Sequence, residues 1–487
     1  MNEFIELRDA RALTAEDIAQ RRPIQAVWEI TLACDLKCHH CGSRAGKARP
    51  RELSTEECLD LIDQLAAMGC REVNLIGGEA YLRRDWLELI RAIRAHGMVC
   101  AIQTGARNLT PRRIDRAVEA GLQSVGVSID GLAEVHDRQR GVPGSFDKAM
   151  QALRELRRRG IPTQVNTQLN RLSVPDLRGL LGLLRDAGVN AWRFQLTVAM
   201  GRAADQHDWL LQPFEIPDVL DLCAELAEEG NAHGVSVLGG NNIGYYGPHH
   251  EQLRALAPRL QGQLMGCGAG RFTLGVEADG AIKGCPSLPT GPYTGGNIRD
   301  LSLEQIWEHT DALSVRRHVR REDLWGFCRT CYYADVCQAG CTWTSHVLFG
   351  RPGNNPYCSY RARRLAEQGI RERVEPVQAA PGLPFDHGTF ALRCEDLDGN
   401  PLALAPEEIE DPYGPAWPGG LRDLRKCMGC GQYVWDQEAD CVFCGVDMDE
   451  AERSHVAYLK EVLTAQQPLL ANLAQLLQAL EEDDEAW

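Results

Sequence analysis

Three thiols within eight residues, at Cys34-x3-Cys38-x2-Cys41, constrain this chain more than any other feature. They follow the apolar run 26–32, which reads as a buried strand, so they stand where a strand ends and side chains can converge. Thiolates are soft donors that suit iron–sulfur clusters, and a four-iron cube normally takes four of them. Three thiols reach three corners and leave one iron for another ligand. Structural zinc is the competing occupant, but it wants four closed ligands, usually as two paired knuckles, and no fourth cysteine follows nearby. His39 and His40 are adjacent on a tight loop, where two neighbours rarely chelate one ion. Thiols that merely pack are the remaining reading.

The rest of the cysteine usage points the same way. The chain holds nineteen cysteines and has neither a secretion signal nor a run of about 18 apolar residues. That combination argues for metal rather than disulfides, and for a reducing, low-oxygen cytoplasm without a membrane span. Beyond the opening trio, seven cysteines fall between 267 and 358 and four between 427 and 444, leaving Cys58, Cys70, Cys100, Cys223 and Cys394 as singles. A free cysteine is often a small buried apolar residue, which is the expectation for these five. A formal charge of −16 argues against a nucleic-acid partner. Arg157 to Arg159 read as a solvated helix end, where cations suit the helix dipole. With 487 residues the chain is too long for one core.

Residues 1–23 read as an N-terminal extension, and 24–240 as a first domain that alternates strands with helices. Strand-like runs fall at 26–32, 73–76, 99–103, 124–129, 163–168 and 192–198. Ser54 to Glu57 form a capping box, Thr110-Pro111 places proline at a helix start, and Ser173 opens another helix. Gly69, Gly97, Gly121, Gly160 and Gly188 stop the helices. Six βα units predict an α/β fold, a partial (β/α)6 TIM-like barrel with right-handed crossovers. Ligands then sit at the carboxyl ends of the strands, where the three cysteines lie.

This first domain resembles the radical S-adenosylmethionine (SAM) superfamily, on the strength of Cys34, Cys38 and Cys41 and of Gly77-Gly78-Glu79 after the second strand. The resemblance implies a [4Fe–4S] cluster on the three catalytic cysteines, with SAM chelating its open iron. One electron then cleaves SAM to a 5′-deoxyadenosyl radical that abstracts hydrogen from substrate. It implies that Gly77 and Gly78 let the backbone approach the methionyl group and that Glu79 accepts its ammonium. Ser128 and Arg140 carry over as contacts to the SAM carboxylate, and Gln103 at the end of strand three as a further contact. Asp130 either bonds a ribose hydroxyl or caps the following turn. Asn166 and Gln168 alternate toward one face of strand five, so that one or both point into the barrel, and Leu196 ends strand six where it can meet the adenine or simply serve the core. Two departures stand out: His40 occupies a usually aromatic position, and Ala80 replaces a usual proline.

Residues 241–265 form a Gly- and Tyr-rich bridge, which either lines a mouth over the barrel or links domains. The region 266–375 resembles the SPASM domain on Cys267, Cys285, Cys328, Cys331, Cys337, Cys341 and Cys358. That resemblance implies two auxiliary [4Fe–4S] clusters, three clusters in all. Cys328, Cys331, Cys337 and Cys358 hold the second, and Cys267, Cys285 and Cys341 the first. An eighth cysteine used by fully ligated relatives is missing between Cys267 and Cys285. The first auxiliary cluster therefore has an open iron, or takes water, a carboxylate such as Glu277 or Asp279, or a substrate group. An aspartate that acts as base in sulfatase-maturing relatives is Pro286 here, which disfavours that activity.

Residues 376–448 open on a Pro/Ala-rich link to Pro384, read as a domain boundary. They continue to two knuckles, Cys427-x2-Cys430-Gly and Cys441-x2-Cys444-Gly. Two CxxCG knuckles predict a zinc-ribbon-like module holding Zn2+, with rubredoxin-like iron as the other occupant. The tail 449–487 carries apolar residues at helical spacing, broken at Pro468, and an acidic end at 481–485. The simplest expectation for that stripe is packing on the protein itself.

The function these resemblances imply is modification of a ribosomally made precursor peptide by crosslinking, oxidation, epimerisation or excision. An electron donor of flavodoxin or ferredoxin type would serve it. The segment before strand one is too short for a leader-binding winged domain, so recognition is expected from a separate leader-recognition protein or from elsewhere in this chain. An epimerase would need a hydrogen donor, and Cys100 is the one single cysteine to test. The alternatives are a radical SAM enzyme acting on a small molecule or a protein side chain, and, in another class, a zinc-module binding protein with a degenerate barrel.

Overall fold

The computed structural model describes residues 10–254, 259–260, 263–264, 266–414, 423–462 and 464. The chain divides into two units, 1–419 and 420–487.

In the first unit seven parallel strands run in chain order: β1 (Gln25–Thr31), β2 (Glu72–Gly77), β3 (Val99–Thr104), β4 (Ser124–Ser128), β5 (Thr163–Leu169), β6 (Ala191–Leu196) and β7 (Ser236–Gly239). The first six lie within two residues of the expected runs. The seventh was missed because a four-residue stretch between Gly234 and Gly239 is too short to carry a periodicity signal. Helices connect the strands. Ser54 Oγ accepts the Glu57 N–H and the Glu57 carboxylate accepts the Ser54 N–H, so the helix Thr55–Ala67 begins as its capping box predicts. Its Cys58, Leu61, Ile62 and Leu65 form one buried stripe in the apolar core, each large apolar side chain contributing about 1.5–3 kcal/mol. Ser173 stands at the N-cap of the 3-10 turn Val174–Asp176 that runs into the next helix, but its side chain does not cap it. Its hydroxyl bonds back to the Gln168 carbonyl, and a 3-10 turn precedes the helix Leu177–Ala187.

The sheet does not end at β1. After the two-residue strands β8 (Arg259–Leu260) and β9 (Gln263–Leu264), which pair only with each other, β10 (Thr273–Val276) adds to β1 in parallel, with Ala26 opposite Leu274. Next, β11 (Ala281–Lys283) and β12 (Thr294–Asn297) extend it antiparallel, giving ten strands in the order β12-β11-β10-β1-β2-β3-β4-β5-β6-β7. The segment bearing Cys267 and Cys285 is therefore built onto the barrel sheet rather than folded apart. An apolar strand such as β1, with Trp28 and Ile30 fully buried, needs its edge covered.

The expected link at Pro376 is also strand. β13 (Ile370–Gln378) pairs antiparallel with β14 (Thr389–Asp396), and the register shifts between Pro376 and Gln378. Proline has no N–H to give to a ladder and is tolerated at such an irregularity, so the proline signal here marks a bulge. The division of the chain comes after Gly419.

The second unit contains the hairpin β15 (Leu424–Lys426) and β16 (Tyr433–Trp435), then a helix from residue 448 to 462. Val456 and Leu459, expected to pack, are each 43% exposed; Leu463, Pro468, the remaining leucines and the acidic end lie outside the described residues. Among the described residues no helix is long and apolar enough to cross a membrane.

Candidate functional site

The loop after β1 is fixed from three sides. Gly46 accepts the Cys34 N–H and donates to Leu32, while Lys37 and His39 donate to the carbonyls of Arg140 and Gln139. Each thiol also receives a donor: Leu36 N–H to Cys34 Sγ (3.4 Å), the Arg140 guanidinium to Cys38 Sγ (3.6 Å) and Ala45 N–H to Cys41 Sγ (3.4 Å). Donors aimed at sulfur favour the thiolate form that metal binding requires. Burial pushes the Cys38 thiol up to about 11, against the pull of Arg140. This donor set fits an iron–sulfur cluster.

Gly77 and Gly78 serve this loop directly. A Cβ on Gly77 would lie 2.1 Å from the Thr31 carbonyl, and one on Gly78 2.1 Å from the Ala33 carbonyl and 2.8 Å from Cys34 Cβ. Their bareness thus admits the cysteine loop itself. We expect Gly78→Ala to fold but to lose most of its iron on the trio, on the order of tenfold, as in other changes that displace metal ligands; iron analysis checks it.

Glu79 lies buried beside them. One carboxylate oxygen accepts the Thr104 hydroxyl and the other the Gly105 N–H (2.7 Å), and burial pushes its pKa up to about 8. Cys34, Asp35 and Glu79 bring their ligand atoms within 4.8 Å of one another.

Asp130 and Arg140 do not stand free for a cofactor as the sequence suggests. They pair with each other at 2.6 Å, and His40 Nε2 comes within 3.1 Å of the same carboxylate. Asp130 neither caps a turn nor presents an idle oxygen, since its other oxygen accepts the Gln168 N–H (3.0 Å). Burial opposes its charge, but Arg140 and then His40 outweigh that and hold it well below the usual carboxylate range. A buried carboxylate needs such partners, and the histidine at the usually aromatic position supplies one. His40 Nδ1 is buried without a hydrogen-bond partner among the described residues, a polar atom that a polar cofactor would satisfy.

Across the next strands runs a chain of amides: Asn166 donates to Gln103 (2.7 Å), Gln103 to Ser128 (3.4 Å) and Gln164 to Asn166 (2.7 Å). Gly126 permits it, because a Cβ there would lie 2.0 Å from Gln103 Oε1. Leu196 is fully buried in the core, its backbone clamped on both sides by Asn242 (3.1 and 2.9 Å). Cys100, the hydrogen-donor candidate, is also fully buried in the sheet's apolar core, and burial pushes its thiol up. It sits near the start of β3, away from the carboxyl ends, and does not fit that role.

Among the seven later cysteines, Cys267 and Cys285 pack with Ala269, Leu288 and Trp343, and the Cys285 thiol feels both Cys267 and Cys341. Cys331 feels Cys328, Cys358 and Cys337. Each group has a buried arginine: Arg316 opposes the burial of Cys267 and holds it below its ordinary value, and Arg361 acts on Cys328. Of the carboxylates considered as extra ligands, Glu277 is engaged with Lys283 (2.6 Å), Thr290 (2.6 Å) and Arg49 (3.3 Å), and half-buried Asp279 faces Arg49 at 3.8 Å. A buried Glu–Lys pair is held by mutual need, which removes Glu277 as an idle donor.

The tyrosines of the bridge do not line a mouth. Tyr245 and Tyr246 are buried, and Tyr246 stacks between His250 (4.7 Å) and Tyr333 (4.6 Å); residues 255–258, 261–262 and 265 of the bridge lie outside the described residues. The groups that do meet near the strand ends were not read from the sequence. Met200, whose side chain faces Gly42 beside Cys41, touches the Trp343 indole and forms a bridge with His387. His387 meets His346 edge-on (5.2 Å), and His346 Nδ1 bonds the Tyr293 hydroxyl (2.9 Å). Burial, then His387, lowers the His346 pKa to about 4. A histidine held neutral in the fold takes up its proton on unfolding, so stability falls as pH drops from about 6.5 toward 4. Melting curves of wild type and His346→Gln should diverge over that window, by on the order of 1 kcal/mol after discounting for solvent.

In the second unit the sulfurs of Cys427, Cys430, Cys441 and Cys444 lie within 4.8 Å of one another, with Cys427–Cys444 at 3.7 Å and Cys430–Cys441 at 3.6 Å. Those separations suit four thiolates around one tetrahedral ion. Gly431 and Gly445 follow the knuckles at φ +75° and +72°, the left-handed turn each CxxCG needs.

Residues 28–172 match the Radical SAM superfamily, and 267–332 the SPASM iron–sulfur cluster-binding domain. The chain is 32% identical over 362 residues to mycofactocin maturase MftC of Mycolicibacterium smegmatis, covering 73% of this chain and 86% of that protein. It is 28% identical over 352 residues to the AdoMet-dependent heme synthase of Oleidesulfovibrio alaskensis, covering 69% and 87%. Among solved structures, Streptococcus suis SuiB bound to its precursor peptide SuiA aligns with a TM-score of 0.54 at 15% identity, over 73% of this chain and 78% of that one.

Proposed function

The chain belongs to the radical SAM superfamily and carries a SPASM domain, and from that premise we propose that it is a maturase acting on a ribosomally made peptide. The observation that carries this reading is the 32% identity to a mycofactocin maturase across most of that protein's length. SAM and iron–sulfur clusters are the cofactors that both domains imply. We assign three [4Fe–4S] clusters, on Cys34, Cys38 and Cys41, on Cys267, Cys285 and Cys341, and on Cys328, Cys331, Cys337 and Cys358, and a zinc ion on the last four cysteines. When bound, the first cluster with SAM supplies a 5′-deoxyadenosyl radical that takes a hydrogen atom from carbon.

The chain's own residues prepare that site. Glu79, fixed by Thr104 and Gly105 beside Cys34, offers a carboxylate to an incoming ammonium. Arg140 neutralises charge at Cys38 while Asp130 keeps the guanidinium in place. The Gln103–Ser128–Asn166 chain sets fixed polar groups across β3 to β5, and Gln168 and Leu196 remain the proposed contacts from β5 and β6. Nineteen free thiols favour a reducing compartment, the cytoplasm.

The heme synthase similarity favours a second reading, with an iron porphyrin as substrate. One experiment separates the two. Anaerobically reconstituted protein, SAM and dithionite are given either a short peptide encoded beside the gene or an iron porphyrin. A mass change in the peptide matched by deoxyadenosine supports the maturase. An unchanged peptide with a converted porphyrin overturns it.

A further inference from the structure

An arginine stands on the barrel's inner face without a task in forming the radical. Along β6 the buried core residues Trp192, Phe194 and Leu196 alternate with Arg193 and Gln195, so these two share the face turned away from the helices. In the ladder with β5, Arg193 stands beside Asn166, which donates to Gln103, and Gln195 stands beside Gln168. The two side chains therefore belong to the face that carries the amide chain, toward the strand ends where barrel ligands sit.

What Arg193 lacks is a counter-charge. It is half-buried, donates to the Asn241 side chain (3.1 Å) just past the end of β7, and forms no ion pair among the described residues. The charges it feels are Arg11 and Arg254, which repel it, and Glu72, which attracts it. Glu72 is already taken, since Arg11 holds both its oxygens at 2.5 and 2.6 Å. Burial first, and then the two arginines, lower the Arg193 pKa to about 10, so the group is still a cation at neutral pH. A guanidinium drawn out of water beside like charges is unfavourable until an anion joins it. Gln195 adds an amide two residues on, whose side chain makes no hydrogen bond among the described residues.

We propose that Arg193, helped by Gln195, binds a carboxylate of the substrate and so fixes how the substrate lies in the barrel. The proposal rests on the reading that the barrel holds a substrate beside SAM, and it names a group which that substrate must carry. Both substrates considered above carry one: a peptide ends in a carboxylate, and a heme-type porphyrin bears carboxylate side arms. The planar guanidinium matches a carboxylate through two parallel N–H···O bonds, and the amide can donate another. SAM's own carboxylate is the competing occupant. It belongs beside the cysteine loop, where Arg140 rather than Arg193 touches Cys38.

The test uses the reconstituted full chain and the variants Arg193→Met and Arg193→Lys, each titrated in the presence of SAM with two pairs of ligands. One pair is the peptide encoded beside the gene and a carboxylate-free form, amidated at its end and with Asn and Gln for Asp and Glu. The other is an iron porphyrin and its methyl ester. In wild type, removing the carboxylates should weaken binding of the substrate at least about tenfold. Arg193→Met should bind the acid form at least about tenfold more weakly than wild type does, and should bind acid and neutral forms alike. Arg193→Lys should fall between, because it keeps the charge and loses the paired hydrogen bonds. Discrimination lost in the peptide pair assigns a peptide carboxylate, and in the porphyrin pair a porphyrin carboxylate; either supports the proposal. Acid and neutral forms that differ as much in Arg193→Met as in wild type overturn it, while the substrate reading stands. Weaker SAM binding in Arg193→Met with that discrimination intact overturns it in favour of the cofactor. Should Arg193→Met lose its fold or its iron, Arg193→Lys decides: discrimination equal to wild type overturns the proposal, and reduced discrimination supports it. Wild type that binds neither pair overturns the proposal and the substrate reading together.

Discussion

Replacing Cys34, Cys38 and Cys41 together by alanine is expected to abolish deoxyadenosine formation and to remove about four of about twelve irons per chain. The loss should be complete rather than graded, because nothing else near the loop can take over. The carboxylates closest to the trio already have hydrogen-bond or ion-pair partners that hold them in place: Asp35 with Tyr81 and Asn108, Glu79 with Thr104 and Gly105, and Asp130 with Arg140 and His40. The later cysteines belong to two other groups, each with its own buried arginine, so about eight irons should remain. The fold should survive, since β1 to β6 are held by an apolar core that does not involve the loop. Iron analysis, circular dichroism and chromatography of SAM products measure the three claims separately. Retained SAM cleavage in this variant would remove the basis of the functional reading.

What could be read from residue order alone was whatever depends on short spacing. The thiol trio, the two knuckles, the capping box at Ser54 and the single strands and helices of the six βα units are patterns of fewer than about twenty residues, where neighbours in sequence are neighbours in space. Partners brought together by the fold were not legible. His40 looked like a departure from an aromatic position, and only its approach to Asp130, ninety residues on, explains it. The resemblance offered Arg140 as a SAM contact, and Asp130 stood between a ribose contact and a turn cap; neither reading pointed to the other residue. Burial makes them a pair, since neither charge is tolerated alone there. Glu277 looked available as a ligand until Lys283 and Arg49 met it. Pro376 suggested a boundary because proline breaks ladders, but one irregular rung accommodates it. His346, His387 and Met200 carried no local signal at all, being gathered from a helix, a hairpin and a strand end.

Removing the metal from Cys427, Cys430, Cys441 and Cys444 should unfold their module outright. Among the described residues its apolar cluster holds Cys427, Val434, Cys441 and Met448, with Cys430, Val442, Phe443 and Val446 packed partly around them, and Tyr433, Trp435 and Ala451 are the unit's other buried apolar residues. Two of the four cluster residues are ligands, so the large apolar side chains left without metal are Val434, Met448, Tyr433 and Trp435, at about 1.5–3 kcal/mol each. Ordering the chain costs about 1–2 kcal/mol per residue, which such a core cannot offset. Apparent zinc-binding energies of about 10–16 kcal/mol can, and they are folding energy when no site exists in the unfolded chain. Cys441→Ser or a strong chelator should therefore expose residues after 423 to limited proteolysis. The barrel, with its separate core, should keep forming deoxyadenosine with dithionite. Metal analysis should find one zinc per chain beyond the cluster iron. A red, iron-loaded module would show rubredoxin-like iron in the same four sulfurs, and a module that stays protease-resistant without metal would show that packing alone suffices.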